Sequence, residues 1–136
     1  MTQDQPVVAH RERLDAVRRA LDAAQQLMTE SQDSVGALPY LREAADRLTE
    51  LIDESMAAAV LNGQASLRSA GAQAGLTENA VGPRLARTLT LGAYADDRGR
   101  VTAAGVERAR YDLESGVSKQ PAAAPAPMRF KPRRPT

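Results

Sequence analysis

Through the N-terminal part of the chain the apolar side chains recur at steps of three and four. Val7, Leu14, Val17, Leu21, Ala24 and Met28, interrupted near His10 and Arg11, form one stripe of a helix predicted over 7–30. The cluster Ser31-Gln32-Asp33-Ser34, with Gly36 and Pro39 behind it, predicts a loop. Pro39 suits the first turn of the next helix, where its missing N–H would have had no intrahelical partner. A second helix over 38–61 is marked by Leu38, Leu41, Ala45, Leu48, Ile52, Ser55 and Ala59, and Asn62-Gly63 supplies its C-terminal stop. Glu43, Asp46 and Arg47 give that helix a charged opposite face. Periodicity is satisfied equally by stripes that meet within one chain, as an antiparallel helical hairpin, and by stripes that meet across a dimer.

The pattern then shortens. Residues Leu67 to Leu85 have the spacing of a helix, a tight turn and a second helix. Ala70 and Ala74 leave room for a crossing helix, Gly75 can take the left-handed conformation, Thr77 can cap the second helix, and Val81 and Leu85 face the core. Leu91 to Tyr94 and Val101 are read as short extended pieces around the turn Asp96-Asp97-Arg98-Gly99-Arg100, predicting a small β-hairpin, and a helical pattern resumes after Thr102.

From Gln64 to Glu114 this order resembles the winged helix-turn-helix of MarR- and PadR-type DNA-binding proteins. There the hairpin is the wing, and it runs into an L-T-x-x-G-x-x-x-A element that is similar to Val101-Thr102-Ala103-Ala104-Gly105-Val106-Glu107-Arg108-Ala109. The resemblance implies that the second helix enters the major groove of duplex DNA. The groove-facing positions are then Thr77, Glu78, Asn79, Gly82 and Pro83, with Arg84 and Arg87 flanking them. Asn79 can pair with adenine, and Arg84 or Arg87 can contact guanine or phosphate. Arg98 and Arg100, on either side of Gly99 at the wing tip, can enter a minor groove or clamp phosphates. Gly82-Pro83 departs from the usual pattern: proline lacks a donor and crowds the carbonyl of Asn79, so the helix is expected to kink there or to start later.

Charge supports a polyanionic partner. The net charge of +1 conceals a division, with 6 basic and 11 acidic residues in 1–62 against 12 basic and 6 acidic in 63–136. From Ser115 onward the chain is rich in Pro and Ala, and Lys119, Arg129, Lys131, Arg133 and Arg134 make it a basic arm, expected to be disordered and to contact phosphate.

The remaining composition mostly excludes. Aromatic residues are 3% of the chain, with no Trp and one Phe, so the core must come from Leu, Val, Ile, Met and Ala, which suits close helix packing. Absence of Cys removes disulfides and thiolate metal sites. The longest apolar run, Met56 to Leu61, is too short for a bilayer, and the N-terminus lacks a signal-peptide pattern, so the expectation is a cytoplasmic protein located at the nucleoid, with no membrane partner. His10 is the only histidine and no nucleophile has a paired base, so an enzyme is not expected. Glu50, Asp53 and Glu54 read as a solvated face rather than a metal site, phosphate-binding Gly-rich loops are absent, and no cofactor is expected.

The fold class expected is therefore mainly α: an N-terminal antiparallel helical hairpin followed by a winged helix-turn-helix with a small β-hairpin. Along the chain this gives a disordered N-terminus (1–6), the hairpin (7–62), the winged module (63–115) and a disordered basic tail (116–136). The function expected is DNA binding in transcriptional regulation, as a homodimer, because one wing module alone binds weakly and two half-sites raise affinity. Two alternatives stay open. One is an adaptor of the transcription or replication machinery, using the acidic N-terminal helices or the helix-turn-helix surface to hold another protein. The other is a nucleoid-associated protein with little sequence preference.

Overall fold

The computed structural model describes residues 5–116; the basic tail with Arg129, Lys131, Arg133 and Arg134, like residues 1–4, lies outside them. The described chain is mainly α-helical and divides into two compact units, 1–55 and 56–136.

In the first unit α1 spans Gln5–Glu30, so Gln5 and Pro6, expected to be disordered, are helical. A proline in a first turn forfeits only a donor that would have gone unpaired. Gln32 ends the helix in the left-handed region at φ 51°, and the Asp33 N–H reaches back to the Leu27 carbonyl at 2.9 Å. Helix α2 spans Ser34–Leu61 because Asp33 caps it, its carboxylate accepting from the Gly36 N–H at 2.8 Å. The loop thus shrinks to three residues, and Pro39 falls in the second turn rather than the first. So short a connection makes the helices antiparallel, with Val17, Ala20 and Ala44 packed in one buried cluster. Ala24, Ala37 and Leu51 are buried as well.

The second unit begins inside α2, whose last turns, with Met56, Ala57 and Val60 buried, act as its first helix. Gly63, at φ 77°, closes α2 by letting the Gln64 N–H reach the Ala59 carbonyl at 2.9 Å. Ser66 caps α3 (Leu67–Gln73), its hydroxyl accepting from the Ser69 N–H at 3.0 Å. The same closure recurs at Gly75, also at φ 77°, where the Leu76 N–H reaches the Gly71 carbonyl at 2.8 Å. Helix α4 (Glu78–Leu85) comes directly after it. Thr77 occupies its cap position in extended conformation, but its hydroxyl makes no capping bond. The later start that Pro83 suggested is not seen: α4 begins at Glu78 and runs through Pro83 to Leu85. Proline so late in an eight-residue helix removes a single backbone bond, and the Gly82 carbonyl still accepts from Ala86 and Val101, both at 3.1 Å.

The β-hairpin is not present: among the described residues there is no strand. Buried Thr88 bends the chain before one can begin, its hydroxyl donating to the Leu85 carbonyl at 2.6 Å and accepting from the Leu91 N–H at 3.0 Å. Gly92–Tyr94 then forms a 3₁₀ turn. The returning side pairs with it through one backbone bond, Asp96 N–H to the Arg100 carbonyl at 2.8 Å, and Val101 turns its N–H to Gly82 instead. The loop is held by Asp96, whose carboxylate accepts from the backbone N–H groups of Arg98 and Arg100 at 2.9 and 3.0 Å. Helix α5 (Ala103–Glu114), capped by Thr102, packs against the 3₁₀ turn, and Tyr94 donates its hydroxyl hydrogen to Asp112 at 2.7 Å. Val81, Leu85, Leu91, Tyr94, Val101 and Val106 fill the core of this unit.

No helix among the described residues is long and apolar enough to cross a membrane. Glu50 is exposed, but Asp53 and Glu54, expected on a solvated face, are buried and engaged, because α2 is covered over a wide arc from Leu51 to Val60. Among the described residues no group of acidic or histidine side chains could hold a metal ion.

Candidate nucleic-acid interface

Helix α4 is two-sided. Val81 and Leu85 are anchored in the core, which turns Glu78, Asn79 and Pro83 to solvent, with Thr77 exposed just before them. Two further segments border this exposed side. From α3 comes Arg68, whose guanidinium grips the Glu78 carboxylate through Nη2 at 2.7 Å and Nε at 2.8 Å. From the loop comes Arg100, whose stem lies over Gly82; a Cβ added to Gly82 would sit 3.3 Å from the Arg100 Cβ. Arg68, Glu78, Asn79, Gly82 and Arg100, together with Leu67, Val81, Val101 and Thr102, line a shallow cleft of about 280 Å³, and Thr77 and Pro83 lie outside its lining.

The cleft thus brings together four of the residues expected from the sequence, Glu78, Asn79, Gly82 and Arg100. Arg84, half-buried and engaged, Arg87, exposed just past the end of α4, and Arg98, exposed at the loop tip, do not line it. The chain matches no known protein family, no curated protein and no solved structure.

The arrangement suits a polyanion at its edges more than at its centre. Asn79 offers an amide able to donate and accept, Arg100 a guanidinium with no ion pair among the described residues, and Thr77 a hydroxyl left over from capping. Between them Glu78 is negative, but Arg68 neutralises it across the α3–α4 turn. Arg68 is not among the residues that the sequence pattern singles out. Its signal is nonetheless there: the second residue of one helix and the first of the next, joined by a tight turn, project to the same side.

Asp96 also has a different part from the one charge alone suggests. Its carboxylate is taken up by backbone N–H groups, so it stiffens the loop that carries Arg98 and Arg100 rather than cancelling either guanidinium. The charge of the described residues after α2 is nearly balanced. Residues 63–116 carry seven arginines against six carboxylates, so the positive excess resides in residues 117–136, which carry five cationic side chains and no acid.

Proposed function

We propose that residues 56–136 form a duplex-DNA-binding module in which the exposed side of α4 and the Arg98–Arg100 loop meet the double helix and the basic C-terminal arm supplies most of the phosphate attraction. The observation that carries this reading is the juxtaposition of Asn79 and Arg100 on one open cleft at the second helix of a helix–turn–helix. The resemblance to winged helix-turn-helix proteins is kept for the helical part, with the stiffened loop in the place of the wing. Transcriptional regulation, at the nucleoid of the cytoplasm, is the use to which such a module is most often put, although fold does not fix function.

A second reading, binding with little sequence preference, is favoured by the charge distribution. With Glu78 tied to Arg68 and Pro83 offering no polar group, Asn79 is the main base-reading side chain on α4, while phosphate contact carries no sequence information.

Fluorescence anisotropy with a random duplex across a range of salt tests the proposal. Binding should weaken steeply with salt. Removing residues 117–136 should reduce the slope of log K against log salt by up to about 4.5, and replacing both Arg98 and Arg100 with Ala by up to about 2, at roughly 0.9 per phosphate contact. Salt-insensitive or undetectable binding would instead point to the protein-adaptor role.

A further inference from the structure

We infer that a second copy of this chain covers the leucine face of the N-terminal hairpin. In α1 the buried residues Val17, Ala20 and Ala24 mark the side turned toward α2. Leu14, Leu21 and Met28, spaced by seven, lie roughly 50–90° to one side of that seam at 100° per residue. In α2 the buried residues Ala37, Ala44 and Leu51 mark the seam, and Leu41 and Leu48, with Leu38 beyond them, are rotated from it in the same sense. Because the helices are antiparallel, equal rotation places both rows on one face. The packing of Val17 and Ala20 on Ala44 sets the register, so Leu21 is level with Leu41 and Leu14 with Leu48.

All six of these side chains are between 36% and 58% exposed. The hairpin is therefore built inside out, with mostly alanines in its seam and its leucines on the surface. Half-exposed as they are, they leave on the order of 500 Å² of apolar surface in one patch, near the upper end for a soluble monomer (about 300–600 Å²). Two such faces together bury on the order of 1,000 Å², the lower limit for specific association and in keeping with a dimer of modest affinity. The face is also complementary to itself. Each copy presents two parallel rows of Leu and Met, and a two-fold axis through the square Leu14–Leu48–Leu21–Leu41 lays one pair of rows on the other as a four-helix bundle. A partner of different sequence would need the same spacing by coincidence.

The inference stands apart from duplex binding and is tested without DNA. Sedimentation equilibrium of the full chain should give the mass of a dimer in the micromolar range. Leu21→Glu and Leu48→Glu should each give a monomer with unchanged helical circular dichroism, and the uncharged Leu48→Gln should raise the dissociation constant at least tenfold. Glu43→Lys, at an exposed position on the opposite side of α2 from the leucine row, should leave the dimer intact. A wild-type chain that stays monomeric throughout, or a dimer that survives all three leucine substitutions, would overturn it.

Discussion

One missing methyl group decides how closely α3 and α4 can cross. Gly71 is buried where the two helices meet, and a Cβ placed on it would collide with the side chain of Val81. Valine cannot swing aside, because its branch at Cβ restricts it to few rotamers. Gly71→Ala should therefore destabilise the second unit by about 1–3 kcal/mol, as overpacking does, measured by urea unfolding. Adding Val81→Ala should recover part of that loss, whereas independent sites would add their costs. The turn beside it is legible in the sequence, since a glycine two residues ahead of a capping threonine, between two helical patterns, has few other meanings, and Gly75 takes the left-handed conformation expected of it. The crossing is not. Ala70 and Ala74 are the small residues that the pattern offers for making room, yet the contact with Val81 falls on a residue between them, and only the relative rotation of the helices selects it.

Elements are held to one another by groups whose partners lie far along the chain. Arg110 on α5 donates through Nη2 to the Val60 carbonyl at the end of α2, at 2.8 Å, and is paired with Glu107 at 3.4 Å. A guanidinium at the last carbonyls of a helix also meets the negative end of its dipole. Arg110→Ala should cost about 1.5–3 kcal/mol, the range for a hydrogen bond from a charged donor, read from the shift in the denaturation midpoint. Such a pairing across fifty residues leaves no periodic trace, so sequence alone does not reveal it. Helix existence is legible because the three-four repeat is long in α1 and α2. The expected wing fails because it rests on a few apolar residues, Leu91 to Tyr94 and Val101, too short a run to separate a strand from a 3₁₀ turn. Thr88, whose hydroxyl bends the chain there, carries no signal of its own.

At the scale of the molecule, charge and apolar surface are divided between the two units. The first carries the acidic excess and the leucine face; the second carries the cleft beside α4, with the cationic excess in the segment after it. If both proposals hold, a dimer made through the first unit would link two copies of the second, and a duplex engaged by both at once would be bound more tightly than by either. Duplex contact through α4 and the Asp96-held loop is mapped residue by residue from the amide chemical shifts of the full chain titrated with a short duplex. Shifts are predicted at Thr77 to Arg87 and Asp96 to Thr102, with the amides of α1 unmoved. Shifts confined to α1 and the first turns of α2, or none where the duplex is in excess, would refute that contact.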